Sequence, residues 1–352
     1  MSTLFSHANY NDRAIAIWLI VIAMLIYGMV ILGGVTRLTG SGLSMVEWEP
    51  IMGVIPPLNE TEWQETFDKY KQFPEYQKIN YQMSLEEFKG IFIFEYGHRV
   101  LGRFIGLMFL LPFLYFLSRR MIRPQLIPKL ILMFILGGLQ GVLGWYMVKS
   151  GLVDDPRVSQ YRLTAHLVSA MIIYAYVLWT AWSLFQPVPR NSQTSDIARL
   201  RQRQHIITAL VLLMIISGAF VAGTDAGVGF NTFPLMNGYV FPPGLMAISP
   251  AYLNFFENPV TIQFTHRMLA YLLLIAIPYA WLKTRRIPLA AYTRTLFHLL
   301  LVMLLIQVSL GISTLLWVVP VPLAAAHQGG ALLLLTVALY LNHELRKSAQ
   351  LH

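Results

Sequence analysis

Four of the chain's nine histidines stand at repeated positions. His98 is followed directly by Arg99, and His266 by Arg267. His166 and His327 follow further along in the same order. From 98 to 266 is 168 residues and from 166 to 327 is 161, so the pattern recurs with a short deletion. Neutral imidazole is the commonest protein metal ligand, and two imidazoles on facing helices suit the two axial positions of one haem iron. A lone histidine in an apolar run is better read as hydrogen-bonded to a neighbouring helix. Four at repeated positions, two per repeat, favour two haem sites. The other five, His7, His205, His298, His343 and His352, have no repeat partner and read as structural or interfacial. Cysteine is absent, which excludes disulfides, thiolate zinc sites, iron–sulfur clusters and thioether-linked haem.

The repeat breaks at one informative place. The first half reads Glu95-Tyr-Gly-His98-Arg99 and the second Gln263-Phe-Thr-His266-Arg267. A residue three before a histidine shares its helix face. One proposed site therefore has a carboxylate beside it and the other a neutral amide of similar shape. A carboxylate can exchange protons or stabilise developing positive charge, and an amide cannot titrate. This assigns chemistry to the first half, with Glu95 as its acid or base, and an inert haem or an electron relay to the second. A plain ion pair of Glu95 with Arg99, four residues on, is compatible with that role. The residue four after each histidine is small: Gly102, Ala170, Ala270 and Ala331. Small residues there clear a face for a flat macrocycle, or simply allow close helix packing. Arg37, Arg99, Arg103, Arg162 and Arg267 lie near the same level and are candidates for haem propionates, with snorkelling to headgroups the plainer reading.

The elements that carry these residues follow from composition. Hydrophobic residues make up 56% of the 352 and charged residues 12%, and mean hydropathy is +0.56. A soluble chain carries about 25% charge, so the excess apolar surface must face lipid. Eight runs are long enough to span: residues 14–35, 91–117, 126–148, 163–185, 206–223, 259–282, 295–319 and 321–341. The first is expected to be a retained span, since no small-residue cleavage site follows it. Pro320 separates the last two, which demands a tight turn at 318–322. The net charge of +9 reads as cytoplasmic loops meeting anionic lipid rather than as a nucleic-acid surface. Basic residues cluster between spans two and three, four and five, six and seven, and after eight, whereas the connections after five and seven have none. The positive-inside rule then places both termini in the cytoplasm and the four repeated histidines toward the outer face. The long connection 36–90 is placed outside, with amphipathic helical stretches at 61–71 and 84–89. Each half has an even number of spans, so the repeat is parallel. The expected fold is an all-α membrane protein of two parallel four-helix bundles, residues 1–190 and 191–352.

These residues resemble one family. Glu95-Tyr-x-His98-Arg99, His166, His266-Arg267, His327-Gln-Gly-Gly330 and the glycine-rich Gly33-Gly-Val-Thr-Arg37-Leu-Thr-Gly-Ser-Gly-Leu-Ser44 are similar to haem A synthase over nearly the whole chain. The resemblance implies oxidation of the C8 methyl of haem O to a formyl group, through two hydroxylations and loss of water, giving haem A for cytochrome oxidase. It implies that His98 and His166 take the substrate haem, that His266 and His327 hold a resident haem b, and that Glu95 is the catalytic carboxylate. It also implies a cell inner membrane location, a haem O synthase and cytochrome oxidase assembly factors as partners, and the option of a homo-oligomer. Some members carry a cysteine pair in an outer loop. This chain has none and resembles the cysteine-free proteobacterial and mitochondrial branch. Two other classes remain open on the residues alone. One is a di-haem cytochrome b-like subunit that passes quinol electrons with four permanent histidine ligands. The other is a transporter, against which stand unbroken first and fifth spans and the lack of an inverted repeat.

Overall fold

A computed structural model of the chain describes residues 11–47, 55–153, 156–185 and 195–346. Eight long apolar helices dominate: α1 (Asp12–Leu38), α4 (Leu85–Ser118), α5 (Ile127–Lys149), α6 (Gln160–Phe185), α7 (Ser195–Gly223), α10 (Pro259–Thr284), α11 (Ala291–Leu316) and α12 (Val321–Glu344). Shorter helices fill the outer connections: α2 (Glu60–Tyr70), α3 (Pro74–Lys78), α8 (Ala226–Gly229) and α9 (Asn254–Glu257). No strand occurs among the described residues. Leu107, Leu111, Ile135, Ile275 and Leu305 are exposed along the long helices, as lipid-facing positions must be. The chain is a multi-pass membrane protein.

The described residues fall into two units, one within Met1–Arg162 and Ser169–Gln186, the other within Leu163–Val168 and Pro187–His352. The expected boundary at 190 lies outside the described residues, as do His7 and His352. In the first unit α4 packs on α1, α5 and α2. In the second, α7 packs on α10, α10 on α11, α11 on α12, and α12 on α7, so its four long helices close a ring. The repeat is visible in local geometry too. Gly33, Thr39 and Gly40 recur 185 positions on as Gly218, Thr224 and Asp225. Thr39 and Thr224 each donate their hydroxyl to the carbonyl four residues back. Gly40 and Asp225 then both turn left-handed, at φ 64° and 51°.

Two helices start earlier than hydropathy alone suggests. Helix α4 begins at Leu85, because Ser84 and Glu87 form a reciprocal capping box. The amphipathic stretch 84–89 is therefore the first turn of a span rather than a separate surface helix. This extension docks the outer segment: Phe88 and Phe92, one turn apart on α4, pack with Phe67 and Tyr70 of α2 into a buried aromatic cluster. Phe88 lies 5.0 Å from both the Phe67 and the Tyr70 rings. Helix α7 likewise starts at Ser195, well before its apolar run.

Helix α11 ends at Leu316, short of the expected 319, because Val318 and Val319 both take left-handed backbone, φ 57° and 58°. Their N–H groups close the helix on Leu315 and Thr314 carbonyls at 3.1 and 2.8 Å. Glycine normally fills such a position. The left-handed region costs a residue with a Cβ roughly 1–2 kcal/mol, and Val318 is half exposed. Val318→Gly is therefore expected to raise the thermal midpoint of the purified protein by about 1–3 °C, with Val318→Ala gaining much less.

The outer segment also holds a buried acid. Glu75 accepts a hydrogen bond from the Tyr70 hydroxyl at 3.0 Å, and that hydroxyl in turn accepts from the Asn80 amide at 2.8 Å. Burial pushes the Glu75 carboxyl up to about 7, against the Tyr70 bond that lowers it, and the charge of Glu95 adds to the rise. A folded-state value above the unfolded one makes the contribution greatest when the group is protonated in both states. Stability of this segment should then fall as pH rises between about 4.5 and 7, and level off above. Hydrogen-exchange protection factors of residues 59–80, corrected for the intrinsic rate at each pH, should be higher at pH 5 than at pH 8 in the native chain. The difference should flatten in Glu75→Gln.

Candidate functional site

Each imidazole whose seat is described rests on a glycine of a neighbouring helix. A Cβ placed on Gly33 of α1 would lie 2.9 Å from His98 Cε1; one on Gly218 of α7, 3.2 Å from His266 Cε1; one on Gly311 of α11, 2.8 Å from His327 Cε1. Real Cβ contacts are almost never as short as those at Gly33 and Gly311, and the one at Gly218 is tight, so the three glycines make room for three rings. Gly33 and Gly218 occupy the same repeat position, the one 185 residues after the other. The seats escape a reading of the histidines alone because they lie on other helices. A trace was present in the sequence, since Gly33 opens the glycine-rich stretch and Gly311 closes Gln307-x-x-x-Gly. By contrast a Cβ on Gly102, four after His98, would lie 3.0 Å from the Met29 methyl, so there the small residue serves close packing of α4 on α1.

In the second unit His266 and His327 stand on α10 and α12, which face each other across the helical ring. His266 Nδ1 is buried with no hydrogen-bond partner, and His327 Nδ1 is held by the Gln307 side chain at 3.1 Å. Gln307 also donates to the His327 carbonyl at 2.9 Å. It reaches this far because residue 330 is glycine: a Cβ there would sit 2.3 Å from Gln307 Oε1. The equivalent glutamine of the first unit, Gln140, instead accepts from Ser169 at 2.6 Å. Among the described residues no cluster of three or more His, Asp or Glu could hold a bare metal ion. Haem iron brings four nitrogens of its own and asks the protein for two. A pair of imidazoles presented across a four-helix ring, backed by glycine and braced by an amide, fits that need.

The first unit adds an acid. Glu95 is 3% exposed. Its Oε1 accepts from Arg99 Nη2 at 2.6 Å. Its Oε2 accepts from the Met45 N–H at 2.8 Å and takes the Ser44 hydroxyl at 2.9 Å, in common with the Ser41 carbonyl. The ion pair expected from the spacing is present. The same guanidinium donates to the Met45 and Glu47 carbonyls at 2.7 and 2.9 Å. The glycine-rich stretch thus has a physical task. Gly33 seats His98, Gly40 turns the chain back, and Ser44 and Met45 grip Glu95. Neither Ser44 nor Met45 carries a spacing signal that could have marked it.

The second unit keeps the geometry and loses the acid. Gln263 is 3% exposed, and its Oε1 has no partner. Arg267 turns wholly to the outer connection, donating to the carbonyls of Phe230, Thr232 and Leu235 at 2.9, 2.8 and 3.4 Å. Arg162 donates to the Tyr146 carbonyl at 2.9 Å and lies over the Tyr146 ring at 3.8 Å. Arg37 stands in the last turn of α1, and Arg103 one turn beyond Arg99 on α4. His166 belongs to the stretch Leu163–Val168 that groups with the second unit, and His98 to the first. Gly311→Ala should lower the haem content of the purified protein about tenfold or more, as loss of a ligand's supporting shell does. Gly218→Ala, with 0.4 Å more room, should lower it less. Gly106→Ala, which meets nothing within 4 Å, should leave it unchanged. Pyridine haemochrome spectra of the three variants read this out.

Comparison with known proteins identifies the family. The chain matches the COX15-CtaA family, cytochrome oxidase assembly protein, over residues 16–339. It is 55% identical to the heme A synthase of Nitrosospira multiformis, over 96% of this chain and 94% of that protein. It is 50% identical to the heme A synthase of Nitrosomonas eutropha, over 95% and 94%. To the heme A synthase COX15 of Bos taurus it is 46% identical, over 98% of this chain and 85% of that protein. With a family match from near its first span to near the end of its last, the chain belongs to the COX15-CtaA family.

Proposed function

We propose that the chain is a haem A synthase, a membrane oxidoreductase that converts haem O to haem A. Membership of the family and the name its relatives carry support the activity. One observation supports reading the chemistry in the first half. Of two histidine sites alike in their glycine seats, only the first has a buried carboxylate, Glu95, and the second has Gln263 in its place. His98 and His166 bind the substrate haem, and Glu95 stands at its edge. Oxidising a methyl group to a formyl group releases protons, and a fixed carboxylate can receive them. With Oε2 occupied by Ser44 and Met45 and Oε1 by Arg99 alone, the open lone pair of Glu95 is on Oε1, and a proton would be received there. Arg99 keeps that oxygen aimed.

His266 and His327 hold a resident haem b, which supplies an iron that takes up and passes on single electrons. Around it the chain's part is passive. Gly218 and Gly311 seat the rings, Gln307 orients His327, and Gln263 offers no titrating group. Arg37, Arg99, Arg103, Arg162 and Arg267 are the cations available to propionates, and a guanidinium already donating to carbonyls keeps further N–H groups for an anion. The enzyme sits in the cell inner membrane with both termini cytoplasmic and the histidines toward the periplasm, as the distribution of basic residues supports. A haem O synthase delivering substrate and the assembly factors that receive haem A are its natural partners.

Glu95→Gln is the test. Haem content should be largely retained while conversion of haem O falls by a factor of about 10² or more, followed by extraction and chromatography of the pigments. Full turnover would remove Glu95 from the mechanism. His266→Ala and His327→Ala should each lose the low-spin haem b spectrum, and its survival in either would break the pairing.

A further inference from the structure

At the far end of the second unit a cavity of about 200 Å³ opens between α10 and α11, lined by Trp281, Thr284, Arg285, Arg294 and His298. It is remote from the histidine site. Arg285 follows His266 by 19 residues on one helix, which at 1.5 Å per residue is roughly 28 Å. No carboxylate lines it, and neither arginine forms an ion pair among the described residues. The acceptors nearby are taken. The Trp281 carbonyl receives the Thr284 hydroxyl at 2.6 Å. The Arg294 carbonyl receives His298 Nδ1 at 2.8 Å, and the Leu282 and Lys283 carbonyls receive the next turn's N–H groups. The donors that remain are the two guanidinium groups. Arg285 Cζ lies over the Trp281 indole, 4.7 Å from its centroid. A guanidinium held over a ring by cation–π attraction still has N–H groups to give an anion. His298 is fixed edge-on against the same indole, 5.8 Å between centroids at 81°. The site is thus rich in oriented donors, poor in acceptors, and set at the end of two spans where lipid headgroups lie.

We propose that this cavity binds a phosphate group, held by Arg285 and Arg294 over a floor of Trp281 and His298. The phosphate is that of an anionic phospholipid headgroup or free inorganic phosphate. Guanidinium forks match phosphate oxygens bidentately, and basic pockets between spans are a recognised home for acidic headgroups. The cavity lies in the part of the chain that reads as structural or interfacial, and binding there does not depend on the haem chemistry.

The test uses the full chain in neutral detergent, as the native protein, the double variant Arg285→Gln/Arg294→Gln and Arg286→Gln. The last lies next to the cavity without lining it. One arm titrates phosphatidylglycerol against phosphatidylcholine and counts bound lipid by native mass spectrometry. The other adds inorganic phosphate against chloride at equal ionic strength and follows the thermal midpoint. The native chain should prefer one ligand over its control. That preference should fall about tenfold in the double variant, the worth of one or two charge-assisted hydrogen bonds, and persist in Arg286→Gln. A fall in the lipid arm identifies a headgroup, and a fall in the phosphate arm alone a free ion. The proposal is overturned if both preferences survive in the double variant, or if Arg286→Gln weakens binding equally, which would reduce the effect to bulk charge.

Discussion

A ring nitrogen offered to a ligand inside a membrane needs the rest of its ring held still, and here glycine does the holding. Deleting a side chain lets one helix approach another until backbone supports an imidazole, as at Gly33, Gly218 and Gly311. The contact is dispersive and non-polar, so it fixes the ring without engaging a nitrogen. Everything else in either site is built around rings already positioned in this way. The helical ring of the second unit, the amide of Gln307 and the clamp on Glu95 refine a placement that close packing has made.

The two halves share one scaffold and differ beside one histidine. Arg99 and Arg267 occupy the same repeat position, and each pins an outer connection through its carbonyls. Only Arg99 also meets an acid. A single exchange, Glu95 against Gln263, therefore alters the polarity beside a histidine while the helices, glycine seats and loop anchors stay alike. The longer outer connection of the first half is correspondingly better built. Its aromatic cluster grips α4 directly above Glu95, and Met45, whose N–H holds the acid, packs against that same cluster.

Much of this was legible in residue order. The eight spans follow from hydropathy, because lipid-facing helices leave no ambiguity of period. The repeated histidine positions and the Glu95/Gln263 contrast follow from repetition. Two kinds of feature were not legible. Helix starts at Leu85 and Ser195 are set by capping and by polar turns, to which apolar run length is blind. Partners that come from other helices and loops, such as Ser44, Met45 and the glycine seats, depend on tertiary approach, and no spacing within one helix encodes that. The arginines illustrate the same limit. Their outward level was readable, whereas the carbonyls that Arg99 and Arg267 choose were not.

The Glu95–Arg99 pair also bears on how the chain enters the bilayer. Acid and base one turn apart on α4 cancel before any neighbour is in place, so the helix presents little net charge to lipid while it is still alone. Arg267 has no such companion on α10. Its charge is met only by carbonyls of Phe230, Thr232 and Leu235, which converge once the preceding connection has folded over it. The charge on Arg99 is thus answered within its own helix, and that on Arg267 by a folded loop.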